Sequence, residues 1–321
     1  MNTLLPMNMP ISDDVCAQTA KDASLAKPVA MATSMSTPTP LYVPVPDVDL
    51  DAYFARIGYD GPRAATLEVL CDLHARHPAN IPFEAIDVLC GKAISLRPDD
   101  IDQKLLIAGR GGYCFEQNSL FRRVLRRLGF AVEGLAGRVL WGYAPGDAPR
   151  ARCHMALRVM IDGEAWLADV GLGGCVPTGP LLLGVSIPQV TPYDTYRVTQ
   201  KNGRYLTELE RDGVWKAVHE VDITPVEDID YEVMNWYTSK NPESGFTKDL
   251  MVARSAPHAR FTLLNNRLTI RLRTGEEEIH HLSVGDVEQT LTDIFGINVD
   301  PGWRGYLENV VGGGKPVGKR G

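Results

Sequence analysis

The spacing of hydrophobic residues predicts that the first ordered part of the chain is helical. Tyr53, Phe54 and Ile57 recur at helical spacing behind Asp49, a suitable helix cap, and before Gly58, a natural stop. Apolar residues recur in a similar way in three further segments. The predicted helices cover about residues 49–58, 66–77, 98–107 and 114–129.

After Gly129 the pattern changes to short segments rich in Val, Leu, Tyr and Trp. Asp162-Gly163 and Asn202-Gly203 are typical of two-residue hairpin turns, so the segments beside them should pair as antiparallel strands. The predicted strands cover residues 131–139, 154–161, 164–169, 194–201, 204–212, 250–255, 261–264 and 268–272, with helices over about 226–236 and 284–295. This order predicts an α+β chain with an antiparallel sheet or barrel at its centre.

Composition and charge exclude several classes of protein. The chain has 321 residues and a formal net charge of −7, which argues against a nucleic-acid partner. No apolar run approaches the roughly 18 residues that span a bilayer, so no membrane partner is expected. The first residues lack a basic start followed by an apolar core, which favours a cytosolic protein over a secreted one.

The six cysteines are scattered without a CxxC pair, so neither a metal site nor a dense disulfide framework is expected. One of them, Cys114, follows a Gly-Gly loop at 111–112 and opens an amphipathic helix. Unpaired N–H groups and the helix dipole stabilise a thiolate at such a position, and a thiolate is a nucleophile. A single cysteine is more often a buried structural residue, so this hypothesis depends on the other residues of the site.

A cysteine nucleophile needs a base and a group that orients the base. His154 begins a predicted strand and points away from the more apolar face of that strand. Asp169 ends the strand that the Asp162-Gly163 turn links to it, so the two residues should be near-opposite neighbours. The other histidines that we considered have no acid opposite them across a predicted turn: His74, His77, His280 and His281.

Two further patterns give weaker signals. Arg122, Arg123, Arg126 and Arg127 have the spacing of a solvated polar face on the Cys114 helix. The glycines within 171–174 could let the backbone approach a ligand closely, but they lack the strand–loop–helix order of a phosphate site.

Together, three segments resemble the motifs of the arylamine N-acetyltransferases. They are Arg-Gly-Gly-Tyr-Cys-Phe-Glu-Gln-Asn at 110–118, Arg-Cys-His-Met at 152–155 and Asp-Val-Gly-Leu-Gly-Gly at 169–174. The resemblance covers about residues 46–305 and includes Ile-Pro-Phe-Glu at 81–84. It implies that Cys114 is the nucleophile, His154 the base and Asp169 the orienting acid.

The resemblance also implies a fold and a set of supporting residues. The implied fold is a helical bundle, a central antiparallel β-barrel and a C-terminal α/β lid, with a cysteine-protease-like Cys-His-Asp triad between the first two parts. Substrate-binding residues are expected at Phe83, Gly171, Leu172 and Gly173, and Glu84 and Arg110 are expected to pair and brace the loop under Cys114. The family often has phenylalanine where this chain has Leu172 and asparagine where it has Ala85, which bears on the choice of acceptor.

These observations divide the chain into six predicted parts. They are a disordered extension at 1–45, a helical bundle at 46–129, a β-barrel at 130–224, an interdomain helical segment at 225–246, an α/β lid at 247–309 and a flexible tail at 310–321.

The implied reaction is ping-pong transfer of an acetyl group from acetyl-CoA, through acetyl-Cys114, to small aromatic amines, hydrazines or hydroxylamines. Acetyl-CoA is expected as a co-substrate, with no tightly bound cofactor, and the protein as a monomer or homodimer in the cytoplasm. Three alternatives stay open at this point. They are a macrocycle-forming amide synthase of the same family, a cysteine hydrolase with the same triad, and a binding protein without catalysis, which should have lost a triad residue.

Overall fold

The computed structural model describes residues 47–144 and 146–312, so the predicted extension at 1–45 and residues 313–321 of the predicted tail lie outside it. The helices are α1 (Leu50–Ile57), α2 (Leu67–Asn80), α3 (Ile86–Leu89), α4 (Pro98–Asp102), α5 (Cys114–Arg127), α6 (Asp228–Lys240), α7 (Val284–Asp293) and α8 (Arg304–Val311). No helix within the described residues combines the length with the hydrophobicity that a bilayer crossing requires.

The strands form two antiparallel sheets. They are β1 (Phe83–Glu84), β2 (Ala131–Val139), β3 (His154–Ile161), β4 (Glu164–Ala168), β5 (Leu181–Leu182), β6 (Gln189–Val190), β7 (Thr195–Lys201), β8 (Arg204–Arg211), β9 (Val214–Pro225), β10 (Met251–Ser255), β11 (Ala259–Leu264), β12 (Arg267–Leu272) and β13 (Glu277–His281). Eight of these strands build the larger sheet in the order β5-β4-β3-β2-β9-β8-β7-β6, and the smaller sheet has the order β1-β10-β11-β12-β13. The predicted α+β class, with a central antiparallel barrel, is confirmed.

Local signals set both ends of α1 where the sequence predicts them, and two other helices differ from the prediction. The Asp49 side chain accepts a hydrogen bond from the Ala52 N–H at 3.0 Å, and Gly58 ends α1 with a left-handed φ of 65°. Helix α2 continues past its predicted end at residue 77 to Asn80, with Pro78 inside it. The predicted helix at 98–107 is α4 followed by a single π-helical turn at Gln103–Ile107.

A side-chain amide joins the two edge strands of the barrel. The Leu182 N–H of β5 donates to Gln189 Oε1 at 2.7 Å, and Gln189 Nε2 of β6 donates to the Leu182 carbonyl at 3.0 Å. Strands β5 and β6 do not pair with each other, and Gln189 is buried between them. Its carboxamide makes the hydrogen bonds that the backbone of a paired strand would otherwise make. This contact closes the barrel around an apolar interior that includes Leu135, Tyr196 and Val221.

The helical part packs against the outer face of β2–β4, where Met155, Leu157 and Val159 belong to the same buried cluster as residues of α1, α2 and α5. Helix α5 contacts both β2 and β3, which brings its first residue to the end of the barrel. Helices α7 and α8 cover the smaller sheet through a separate buried cluster. Helix α8 extends to Val311, two residues into the predicted tail.

The structure differs from the predicted elements in two places. The sequence reading did not include β9, the longest strand of the barrel, because a register shift between Thr207 and Glu208 of its partner strand interrupts the alternation along it. The predicted solvated face on α5 holds at Arg126 and Arg127, which are exposed, but Arg122 and Arg123 are buried and form ion pairs with Asp228 and Asp102. Polar residues on this side of α5 meet neighbouring elements of the fold, which helix periodicity cannot distinguish from solvent.

We predict that Gln189→Leu destabilises the barrel. The substitution leaves the buried N–H and carbonyl of Leu182 without partners, so the free energy of unfolding in urea should fall by about 2–4 kcal/mol. Gln200→Leu, on the exposed side of the adjacent β7, is the matched control and should cost much less. An equal effect of the two substitutions would show that the Gln189 bridge does not hold the barrel closed.

Candidate active site

The loop before Cys114 packs so closely against its neighbours that a side chain would not fit. A Cβ atom on Gly111 would lie 1.9 Å from the Pro82 carbonyl oxygen, so only glycine fits there. The Glu84 N–H donates to the Gly112 carbonyl at 3.0 Å, which joins the loop to β1. Cys114 then begins α5, and Glu116 Oε2 accepts the Tyr113 N–H at 3.0 Å. This contact satisfies one donor at the helix start.

Ion pairs between buried carboxylates and partly buried side chains brace the same loop. Arg110 Nη2 lies 2.6 Å from Glu84 Oε1, the contact expected from the sequence, and 3.2 Å from Asp87 Oδ2. Lys104 Nζ lies 3.0 Å from Asp87 Oδ2 and 2.7 Å from Glu116 Oε1. The cations and carboxylates therefore alternate beneath the first turn of α5, and each charge has an opposite charge beside it.

The three expected catalytic residues lie together between α5 and the barrel. His154 Nε2 donates to Asp169 Oδ2 at 2.6 Å, and both side chains are buried. Leu157 pairs with Ala168 across the hairpin, so Asp169 lies just beyond the paired end of β4 and reaches His154 diagonally. Cys114 Sγ lies 3.8 Å from the carbonyl oxygen of Cys153, the residue before His154.

Mutual charge stabilisation sets the protonation of the pair. Burial alone would lower the pKa of His154, but the charge and hydrogen bond of Asp169, with the contact to Cys114, raise it to about 10. Burial alone would raise the pKa of Asp169, but His154 and further donors hold it well below its usual range. At neutral pH the pair is therefore an imidazolium beside a carboxylate.

Asn118, one turn after Cys114, connects the helix to both strands of the hairpin. Its Nδ2 donates to the Met155 carbonyl at 2.7 Å and to Asp169 Oδ1 at 3.0 Å. Its Oδ1 accepts the Val170 N–H at 3.1 Å. The Gly171 N–H also donates to Asp169 Oδ1, at 2.9 Å. The amide thus fixes the cysteine helix against the base and the acid at once.

Three histidines that the sequence did not assign to the site surround it. His74 Nε2 accepts the Asp169 N–H at 2.9 Å. His77 lies between the Tyr53 hydroxyl at 2.9 Å and Gln117 Oε1 at 2.6 Å. Burial lowers the pKa of His74 to about 4 and that of His77 to about 3, so both are neutral structural partners.

The third histidine, His219, lies on the unpredicted strand β9. Its Nδ1 is 3.9 Å from Asp169 Oδ2. Beyond the bulge, the alternate positions His219, Val221 and Ile223 give a short signal that could have identified this part of the strand and the inward direction of the histidine.

His154, Asp169 and His219 each place one possible ligand atom within 4.8 Å of the others, which is a geometry compatible with a metal ion. The 2.6 Å separation of His154 Nε2 and Asp169 Oδ2 is shorter than the separation of about 3.3 Å expected between two tetrahedral zinc ligands. We therefore interpret the cluster as a hydrogen-bonded pair with a neighbouring imidazole.

A mostly apolar cavity of about 270 Å³ opens onto Cys114 and His154. All four expected substrate-binding residues line it: Phe83, Gly171, Leu172 and Gly173. The sequence did not predict other lining residues, including Val139, Cys153, Phe246 and Thr262. A Cβ atom on Gly171 would lie 2.7 Å from Cys114 Cα, so glycine at this position lets the backbone lie against the nucleophile.

Comparison with known proteins gives consistent matches. An N-acetyltransferase family model matches residues 66–304. The chain is 40% identical over 267 residues to an arylamine N-acetyltransferase of Mycobacterium tuberculosis, covering 81% of this chain and 94% of the relative. It is 36% identical over 259 residues to an arylamine N-acetyltransferase of Escherichia coli, covering 80% and 92%. A solved structure of Mycobacterium marinum arylamine N-acetyltransferase in complex with CoA has a TM-score of 0.78 at 37% identity, covering 82% of this chain and 98% of that one.

The charge on Asp169 should control the reactivity of Cys114. In the wild-type protein the charge of Asp169 helps to raise the pKa of His154 to about 10, so the imidazolium persists at neutral pH and alkylation of Cys114 by iodoacetamide should be fast there. Asp169→Asn removes the charge that raises the pKa of His154, and burial then lowers that pKa. Alkylation at neutral pH should fall by about a hundredfold and should rise with pH.

Mass spectrometry of the Cys114 peptide measures this rate. Asp162→Asn is the control, because Asp162 lies in the exposed turn of the same hairpin and its φ of 50° is one that asparagine tolerates. Fast, pH-independent alkylation in Asp169→Asn would show that the carboxylate does not set the charge of His154.

Proposed function

The chain belongs to the arylamine N-acetyltransferase family, and we propose that it transfers an acetyl group from acetyl-CoA, through an acetyl-Cys114 intermediate, to the nitrogen of arylamines, arylhydrazines or arylhydroxylamines. The observation that carries this proposal is the charged His154–Asp169 pair beside Cys114. Cys114 lies at the start of a helix, and an apolar cavity opens onto it. The CoA bound to the Mycobacterium marinum relative supports acetyl-CoA as the donor.

In the first half-reaction, the imidazolium of His154 stabilises the thiolate of Cys114, which attacks the acetyl carbonyl of acetyl-CoA. The carbon–sulfur bond to CoA breaks as the bond to Cys114 forms, and His154 gives its proton to the leaving thiolate. Backbone N–H groups near Cys114 stabilise the tetrahedral oxyanion, at about 3 kcal/mol for each donor. His154 is then neutral, and the acetyl group is held on Cys114.

In the second half-reaction, the amine nitrogen attacks acetyl-Cys114 and His154 accepts the proton that the nitrogen loses. The amide forms, the bond to Sγ breaks, and the thiolate–imidazolium pair is restored. The Phe83 and Phe246 rings, 6.1 Å apart, form one side of the cavity and offer an aromatic surface for the acceptor ring. A cavity of about 270 Å³ fits a small aromatic amine more readily than a long carrier-bound chain.

Intact-protein mass spectrometry after mixing with acetyl-CoA tests the reaction. We expect one added acetyl group on the Cys114 peptide, discharged by an arylamine or hydrazine much faster than by water. Cys114→Ser should abolish the adduct, because a serine hydroxyl stays protonated beside the same histidine. Cys153→Ser is the matched control, since Cys153 lines the same cavity and its thiol should not be needed.

The outcomes separate the alternative functions. Rapid loss of the acetyl group to water would identify a hydrolase, and discharge only by a carrier-bound acyl chain bearing an amine would identify an amide synthase. An acetyl group retained by Cys114→Ser would contradict the assignment of the nucleophile. The oligomeric state, a monomer or a homodimer, and a cytosolic location stay predictions from the sequence.

Acceptor size should depend on Leu172, which lines the cavity beside Cys114. Leu172→Phe adds volume to a confined wall and should raise KM about tenfold for a fused-ring arylamine, with a smaller effect for a single-ring hydrazine. Leu172→Met nearly conserves volume and serves as the control. An equal change for both acceptors would show that Leu172 does not limit acceptor size.

A further inference from the structure

His219 faces the His154–Asp169 pair from inside the barrel. It pairs with Val139 of β2 and with Thr207 of β8, so it is held on both sides by the sheet. Its side chain is 0% exposed. Its ring lies edge-on to that of His154, with centroids 5.2 Å apart and planes at 85°. A histidine in this place has no route to solvent and packs directly against the proposed catalytic pair.

The two oxygens of Asp169 have different surroundings. Oδ1 already accepts hydrogen bonds from Asn118 Nδ2 and the Gly171 N–H. Oδ2 accepts the hydrogen bond from His154, and Nδ1 of His219 lies 3.9 Å from the same oxygen. That separation exceeds a hydrogen bond by less than 1 Å, so a small movement of either side chain would form one.

His219 is neutral and has a donor to offer. Burial lowers its pKa to about 4; Asp169 opposes this effect and His154 adds to it. A neutral imidazole carries one N–H. Neither ring nitrogen has a hydrogen-bond partner among the described residues, so that N–H is not committed elsewhere. The titratable groups that surround Asp169 within the described residues are His219 from β9, His154 from β3 and His74 from α2, and Cys114 of α5 contacts His154.

We propose that His219 is a positioning residue for the acetyl-transfer reaction: its Nδ1–H points at Asp169 Oδ2 and stabilises that carboxylate while His154 is neutral. The proposal rests on the proposed function, because this state of His154 arises in the acetyl-enzyme. In the free enzyme, Asp169 has the imidazolium of His154 as its counter-charge. Acetylation of Cys114 removes a contact that helps to raise the pKa of His154, and once His154 has given its proton to CoA the buried carboxylate has no cation beside it, so an additional N–H matters most at this stage.

The two half-reactions should therefore respond differently to loss of the His219 donor. Without it, Asp169 attracts the proton of His154 more strongly, which raises the pKa of His154 in the acetyl-enzyme. A larger fraction of His154 is then protonated and unable to accept the proton of the amine. The rate at which aniline discharges the acetyl-enzyme should fall at low pH, and we call this part of the pH–rate profile the acid limb. In His219→Phe the acid limb should move to higher pH by about half a unit or more. Alkylation of free Cys114 at neutral pH should not change.

Two further variants make the comparison specific. Thr207→Val removes the buried hydroxyl opposite His219 on β8 and should leave the acid limb unmoved, because Thr207 has no hydrogen bond with Asp169. His219→Gln keeps an N–H donor and should restore the limb toward its wild-type position. An unmoved limb in His219→Phe, or an equal shift in Thr207→Val, would overturn the proposal, since either result reduces His219 to a packing residue.

A measurement on the unsubstituted protein gives an independent test. Nitrogen-15 NMR of labelled histidine should show His219 as the neutral Nδ1–H tautomer at neutral pH, and the Nε2–H tautomer would overturn the proposal even if His219→Phe failed to fold. The outcomes also separate this proposal from the proposed function. Absence of acetyl-Cys114 in the wild-type protein contradicts the proposed function, whereas normal acetylation with an unmoved acid limb contradicts only the role of His219.

Discussion

The side-chain amide of Asn118 is the interaction on which the geometry of the site depends. Apolar packing holds α5 against the barrel, but such contacts are non-directional and allow small slides of one surface over the other. The three hydrogen bonds of Asn118 remove that freedom, because they reach β3 at Met155, the carboxylate of Asp169 and the backbone at Val170. The cysteine, the base and the acid come from different elements, and one residue of the helix sets the distances among them.

Buried charge is concentrated around this contact. Beneath the first turn of α5, Glu84 and Arg110 belong to a layer of alternating charges, and above it Asp169 faces His154. Transfer of such groups from water costs several kcal/mol each before their attraction is counted, so this layer adds little net stability. It gives the loop and the helix start one arrangement, because any displacement would leave a buried charge without its partner. We attribute the fixed position of Cys114 to this constraint.

Local sequence patterns were sufficient for the residues that lie near turns and helix starts. Cys114 was identified from a loop-to-helix transition, and Asp169 was placed beside His154 from the hairpin turn between them. Contacts made by distant segments had no local signal. Arg122 has the spacing of an exposed residue, yet Asp228 from the start of α6 covers it, and His219 was missed because a bulge interrupts the alternation of its strand. The Gln189 bridge depends on the closure of the whole barrel and could not be read from any single segment.

Strand β1, beside the cysteine loop, can pair in its sheet only after a much later part of the chain has been synthesised. Glu84 joins the cysteine loop through Gly112, and its partner in the sheet is Val252, which is synthesised 168 residues later. A nascent chain that ends before β10 therefore has its cysteine, base and acid but no sheet against which β1 can pair. Strand β1, which backs the loop under the thiol, gains its own partner in the sheet only when most of the protein has left the ribosome.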